Sequence, residues 1–129
     1  MLMWYNCRAN IEATRISMLS YAKRNGFGGY FMNRPRATYP DSVGKHKPTV
    51  GTPATQAIIG HQIDLIANFI EDSCDGIWFE EMLEQLNSYS DKNKKKFDIV
   101  ASMGMTELAD EELTSIVPSQ IESDASREW

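Results

Sequence analysis

Residues 52–70 read TPATQAIIGHQIDLIANFI, and this stretch predicts the longest apolar helix of the chain. Thr52 followed by Pro53 is typical of a helix N-cap and first helical position. The residues after Pro53 repeat at helical spacing and form a wide apolar face. Its members are Ala54, Ala57, Ile58, Ile59, Ile63, Leu65, Ile66, Phe69 and Ile70. A face this wide predicts that most of the helix lies in the core.

The residues before this helix predict a strand, a helix and a second strand. The apolar and aromatic run Met3–Ile11 indicates a short strand, and Glu12–Asn25 has helical spacing that ends at Gly26. Tyr30–Met32 indicates a brief second strand. This order favours a crossover unit with neighbouring parallel strands. Residues Asn33–Pro53 hold four of the five prolines and predict a long irregular loop.

The residues after the long helix predict one more strand and two helices. Ile77–Phe79 indicates a third short strand. Apolar residues then recur at intervals of three and four and predict an amphipathic helix with Phe79, Met82, Leu83, Leu86 and Tyr89 on its inner face. A final helix is predicted from Phe97 to Leu108. We expect one domain over residues 1–112 and a flexible tail over residues 113–129.

Composition and length point to a single globular domain. The chain has 129 residues, of which 42% are hydrophobic and 24% charged. Its longest apolar stretches are shorter than the roughly 20 residues that cross a membrane. No basic and then apolar leader precedes a cleavage site. Cys7 and Cys74 have no metal or redox spacing and are expected to be buried thiols, so we predict an intracellular, soluble protein in a reducing compartment.

The charges are divided unevenly along the chain. Residues 1–48 have eight Lys and Arg against two acids, a net charge of +6, and the remainder has five bases against sixteen acids, a net charge of −11. This division favours a polyanionic partner for the first part, although a solvated basic face has the same composition.

Carboxylates are the candidates for chemistry. The chain has no glycine-rich phosphate loop, and His46 and His61 lack metal-ligand spacing. Glu12 and Asp98 each lie at a predicted helix start near basic residues. Two such carboxylates suit a phosphodiesterase that uses Mg²⁺ or Mn²⁺, because both metals prefer oxygen ligands. The structural alternative for Asp98 is stabilisation of the helix dipole.

Four short motifs in order resemble one protein family. They are Asn10-Ile11-Glu12, then Gly51-Thr52-Pro53-Ala54-Thr55, then Ile77 to Leu86, and finally Lys96 to Ser102. Together, over Met3–Leu113, they resemble the C-terminal nuclease region of the large terminase subunit of tailed bacteriophages. The resemblance implies an α/β, ribonuclease-H-like mixed sheet flanked by helices. The chain would lack the first strands of that sheet.

The resemblance also implies a function and a site. The family's enzyme is a metal-dependent endonuclease that cuts concatemeric viral DNA, with Glu12 and Asp98 here as catalytic residues that bind Mg²⁺ or Mn²⁺. The family's first-strand acid has no counterpart, and Phe97 stands where many members have a second acid. Residues expected to contact phosphates of double-stranded DNA are Arg34, Arg36, Lys45, Lys47, Lys94, Lys95 and Lys96.

The resemblance further implies partners and a place of action. The partners would be the rest of the terminase large subunit or a companion polypeptide, the portal and the small terminase subunit. The place of action would be the cytoplasm of the host bacterium. An unpaired edge at Met3–Ala9 predicts self-association.

Two other functions fit the same residues. One is a non-catalytic interaction or DNA-binding module left by truncation of such a nuclease domain. The other is a different ribonuclease-H-like enzyme, such as a resolvase or an integrase.

Overall fold

The computed structural model describes residues 2–13, 16–39, 49–90, 92 and 97–125. This part of the chain is mostly helical. Its α-helices are α1 (Leu2–Tyr5), α2 (Ile16–Arg24), α3 (Gln56–Ser73), α4 (Glu80–Ser88) and α5 (Asp98–Ala125). Short 3₁₀ turns follow at Gly28–Tyr30, Arg36–Thr38 and Cys74–Gly76.

The described residues form no sheet, so the predicted ribonuclease-H-like mixed sheet is wrong. Extended pairing is limited to three isolated bridges. The pairs are Ala9 with Phe31 and Glu12 with Thr52, both parallel, and Asn33 with Val50, antiparallel.

Short apolar runs explain why no sheet forms. The run Met3–Ile11 begins inside α1, and Asn6 then takes a φ of 48°, which ends any extended conformation there. Tyr30 belongs to a 3₁₀ turn. Ile77 and Phe79 are extended, yet neither makes a bridge with another described residue. Runs this short lack the residues that a continuous ladder needs.

The chain forms two compact units. Unit 1 comprises Met1–Ala54 with Leu108–Trp129, and unit 2 comprises Thr55–Glu107. Unit 1 keeps one feature of the predicted crossover, because Ala9 accepts a hydrogen bond from the Met32 amide and donates one to the Tyr30 carbonyl, both 2.9 Å long. The two segments run parallel at this one bridge, but the described residues form no strands there, so the predicted pair of parallel strands is wrong.

The end of α2 confirms the predicted helix stop. Gly26 has a φ of 76°, which is open to glycine and strained for other residues. The Phe27 amide donates to the Ala22 carbonyl at 2.8 Å, and the Gly26 amide donates to the Lys23 carbonyl at 3.3 Å. This pair of bonds is the Schellman motif, which satisfies the last carbonyls of the helix. The helix does not begin at Glu12, as predicted, because Glu12 belongs to a bridge.

Helix α3 also begins later than the sequence predicts. Its N-cap is Thr55, whose side-chain oxygen accepts a hydrogen bond from the Ile58 amide at 3.3 Å. Thr52, the predicted N-cap, instead pairs with the chain near Glu12 and is only 1% exposed. Both threonines carry an N-cap signal, and the long-range pairing of Thr52 leaves Thr55 to begin the helix.

Unit 2 has its own apolar core. Ile66 of α3 packs with Phe97, Val100 and Met103, and partly buried residues surround them: Phe69, Met82, Leu86 and Tyr89. The Tyr89 and Phe97 rings meet edge to face at 5.2 Å between centroids. Helices α3 and α5 approach closely at Gly104, where an added Cβ would lie 3.0 Å from the Gln62 Cβ.

The structure differs from three further expectations. Cys7 and Cys74 are exposed free thiols, so the prediction that both are buried is wrong. The strand Met3–Ala9, whose open edge was expected to drive self-association, is replaced by α1 and a turn. Helix α5 continues to Ala125, past Leu113, where the sequence predicts the beginning of a flexible tail.

Candidate functional site

Glu12 lies in unit 1 beside the bridge that holds Thr52. The Ala13 amide donates to the Thr52 carbonyl at 2.9 Å, and the Thr52 amide donates to the Ile11 carbonyl at 2.8 Å. The Thr52 hydroxyl donates to the Asn10 side-chain oxygen at 3.0 Å. These bonds hold the backbone on both sides of Glu12 in place, while its side chain is exposed.

Asp98 lies in unit 2 as the first residue of α5 and is also exposed. The first amides of a helix have no acceptor within the helix itself. In α5 the Ile99 amide donates instead to the Gln85 side-chain oxygen of α4 at 3.0 Å. Phe97 precedes Asp98 and is buried in the core of unit 2. A carboxylate at this position is favourable for the helix dipole.

The two predicted metal ligands therefore lie in different compact units. Within the described residues, no group of three or more His, Cys, Asp or Glu side chains is placed to hold a metal ion. The Mg²⁺ or Mn²⁺ site stays a prediction of the sequence.

Arg34 is held by residues of its own loop. Its Nε donates to the Thr38 hydroxyl at 2.9 Å, and its Nη2 donates to the Thr38 carbonyl at 2.6 Å. The guanidinium also lies over the Tyr39 ring, 4.4 Å from the ring centroid. The Thr38 hydroxyl in turn donates to the Pro35 carbonyl at 2.7 Å. Arg34 thus stabilises the 3₁₀ turn that follows it.

Arg36 pairs with a carboxylate of α5 within unit 1. Its Nε lies 3.0 Å from Glu112 Oε1, and its backbone amide donates to Glu112 Oε2 at 3.0 Å. The Arg36 side chain is 69% exposed and that of Glu112 only 16%. A phosphate would have to compete with this carboxylate for the Arg36 Nε–H.

The other predicted phosphate contacts lie outside the described residues. These are Lys45, Lys47, Lys94, Lys95 and Lys96. His46 lies there too, whereas His61 is a half-buried residue of α3. The DNA-binding role of the lysines stays a prediction.

Four aromatic residues of unit 1 are exposed in the structure. Trp4 is 86% exposed and Tyr5 69%, although the sequence places them in a partly buried strand. Tyr21 on α2 is 63% exposed and Phe27 beyond its end is 46% exposed. The sequence signal that identifies them is their nearness along the chain to Lys23 and to other basic residues.

Helix α4 of unit 2 has an outer apolar face that the sequence predicts to be inner. Met82 and Leu86 pack on the core, as predicted, while Phe79 and Leu83 are 71% and 47% exposed. The preceding Trp78 is 87% exposed. The helical spacing of Phe79, Met82, Leu83 and Leu86 does not predict which of them are buried. Burial depends on which side of α4 packs against the core of unit 2.

No protein-family model, no curated protein and no solved structure matches the chain. Among the described residues, no helix has both the length and the apolar character that crossing a bilayer requires.

Proposed function

We propose that the chain is a non-catalytic binding module that holds single-stranded nucleic acid on unit 1. The observation that carries the proposal is the exposure of Tyr21 and Phe27, which are close along the chain to the exposed basic residues Lys23 and Arg24 at the end of α2. We define the basic aromatic surface as Tyr21, Lys23, Arg24 and Phe27, all of which are exposed. Proteins that bind single strands without sequence preference combine basic groups that follow the phosphates with aromatic rings that stack on the bases.

The charges of residues 2–39, the segment that contains this surface, support an anionic ligand, whereas residues 108–129 of the same unit add six acids and one arginine. Residues 2–39 have six Lys and Arg against one acid, Glu12. A second exposed run of the same kind, Trp4 and Tyr5 followed by Arg8, lies in the same unit. Lys23 and Arg24 lie in the last turn of α2, where the helix dipole favours positive charge. The dipole does not explain why Tyr21 and Phe27 are exposed.

Exposed rings favour single strands over duplex DNA. Stacking on a base requires an unpaired base, and each stacked base contributes about 1–3 kcal/mol when measured by alanine substitution. Duplex DNA offers phosphates but no open base faces. We therefore expect tighter binding to an unpaired oligonucleotide than to a duplex of equal length.

Fluorescence anisotropy with a labelled oligothymidine tests the proposal. Replacing Lys23 and Arg24 together by Gln should weaken binding and lower the slope of log K against log salt by about 1.4, because each phosphate contact on a single strand contributes about 0.7. Tyr21→Ala should weaken binding about 5- to 150-fold and leave the salt slope unchanged, because it removes stacking and no charge. Tyr21→Phe, which keeps the ring, should bind like the parent.

Lys92→Gln is the matched control, because Lys92 is an exposed lysine of unit 2. The alternative is that binding depends on the lysines that follow α4. Loss of binding in Lys92→Gln, with binding kept when Lys23 and Arg24 are both replaced by Gln, would place the nucleic acid there and contradict the proposal. Tighter binding to the duplex, with no effect of Tyr21→Ala, would also contradict it.

A further inference from the structure

The start of helix α4 in unit 2 departs from the usual chemistry of a helix N-cap. Its N-cap residue is Phe79, which makes no side-chain cap hydrogen bond. Ser, Thr, Asp or Asn is favoured at an N-cap because a side-chain oxygen there accepts from a free backbone amide. A phenylalanine side chain has no oxygen that could accept this hydrogen bond. We therefore expect an aromatic residue at an N-cap to have a role for its ring.

Helix α5 shows how such a departure is compensated. The residue before it is also a phenylalanine, Phe97, which is 8% exposed and packs in the core of unit 2. The Gln85 side chain replaces the missing cap by accepting from the Ile99 amide. Phe79 differs from Phe97, since its side chain is 71% exposed, and it makes no side-chain cap hydrogen bond itself.

Phe79 belongs to an exposed apolar group. Leu83 follows it by four residues, which places both on one side of the helix. Trp78 precedes it and is 87% exposed. Trp and Phe bury about 150–250 Å² each when covered, and Trp is enriched among the residues that dominate protein interfaces. We define the acidic aromatic face as Trp78, Phe79 and Leu83 with the carboxylates near them along the chain.

The Lys, Arg, Asp and Glu side chains within residues 49–91, which include this face, all have one sign of charge. No Lys or Arg occurs between residues 49 and 91. Six exposed acids lie between residues 71 and 84, namely Glu71, Asp72, Asp75, Glu80, Glu81 and Glu84. Such a field repels nucleic acid and anionic lipid, and it attracts a positively charged partner.

We infer that the acidic aromatic face docks a basic, amphipathic helical segment of a partner protein. The apolar side of the segment covers Trp78, Phe79 and Leu83, while its Lys and Arg side chains meet the surrounding carboxylates. Helix recognition of this kind uses apolar anchors spaced at three and four residues. This face belongs to unit 2, whereas the basic aromatic surface belongs to unit 1.

A titration with a synthetic helical peptide tests the inference. The probe is an 18-residue peptide with Leu on one helical face and Lys on the other, and the control peptide has Glu in place of Lys. The full chain is used with Trp4 and Trp129 replaced by Phe, so that Trp78 is the only tryptophan. Binding of the Lys peptide should shift the Trp78 emission to shorter wavelength, because the indole leaves water.

Two sets of variants separate the apolar and the charged contributions. Phe79→Ser and Leu83→Ala should each weaken peptide binding at least about tenfold. Leu113→Ala, at an exposed leucine of unit 1, is the matched control and should bind like the parent.

Glu80→Gln with Glu84→Gln should weaken binding and reduce its salt dependence. Phe79→Ser should melt no lower than the parent, because serine restores an N-cap oxygen.

Three results would overturn the inference. Equal binding of the Lys and Glu peptides would remove the role of charge. Unchanged peptide affinity in Phe79→Ser and Leu83→Ala would show that the peptide binds elsewhere on the acidic chain. Concentration-dependent self-association of the peptide-free chain that Phe79→Ser abolishes, measured by sedimentation, would identify a second copy as the occupant.

Discussion

Gly51 shows how one residue connects distant parts of unit 1. Its φ is 98°, a conformation that L-residues rarely adopt, and an added Cβ would lie 3.1 Å from the Ala13 Cβ. The next residue, Thr52, forms the backbone bonds to Ile11 and Ala13. From sequence, Gly51 is a turn or helix-start signal. Its contact with Ala13 requires a pairing across nearly forty residues, which no local pattern contains.

Gly51→Ala should lower the free energy of unfolding by about 1–3 kcal/mol. The alanine adds strain at a positive φ and presses its methyl group against Ala13. Urea unfolding followed by circular dichroism measures the change.

Gly29→Ala is the control, because an added Cβ at Gly29 meets no atom within 4 Å and its φ is not positive. It should be near neutral. Combining Gly51→Ala with Ala13→Gly should recover only part of the loss, since it relieves the contact and leaves the backbone strain. Full recovery would mean that backbone strain at Gly51 contributes nothing.

At the scale of elements, helix type and order are largely readable from the sequence, while the start of α3 is not. Apolar periodicity predicts α3, α4 and the first part of α5, all of which are present. The starts of α3 and α5 depend on tertiary contacts: Thr52 is engaged in a bridge, and α5 is capped by Gln85 of α4. A cap supplied by another helix has no signal in the local sequence.

Gln85→Ala should destabilise unit 2 by about 1 kcal/mol, because the Ile99 amide loses its acceptor at the start of α5. Gln85→Glu should retain most of the stability, since it keeps an oxygen acceptor and adds a negative charge at a helix N-terminus. Thermal unfolding of both variants measures the difference. Equal melting of Gln85→Ala and the parent would contradict the capping role.

At the scale of the whole molecule, the chain separates charge between two surfaces. The basic aromatic surface belongs to unit 1 and the acidic aromatic face to unit 2. Glu12 and Asp98, the carboxylates that the terminase resemblance assigns to one metal site, also belong to different units. The proposed function assigns nucleic-acid binding to unit 1 and includes no cleavage step.

Incubation of supercoiled plasmid with the chain and Mn²⁺ tests this view. We expect the plasmid to remain supercoiled while labelled oligonucleotide still binds. Nicking that disappears in both Glu12→Ala and Asp98→Ala would contradict a non-catalytic module and support the nuclease hypothesis. Nicking that persists in both variants would indicate a contaminating nuclease, which a mock purification identifies.

The sequence by itself determined the amphipathic helices, the stop of α2 at Gly26 and the unequal division of charge. Each follows from neighbouring residues: helical spacing, a positive φ that suits glycine, and a count of side chains. Only the tertiary structure decided that short extended runs form isolated bridges, that Phe97 is buried and Phe79 exposed, and that Arg34 is held by Thr38. The physical reason is that burial and pairing depend on which distant residues cover a side chain, and the same apolar residue type serves a core or a surface.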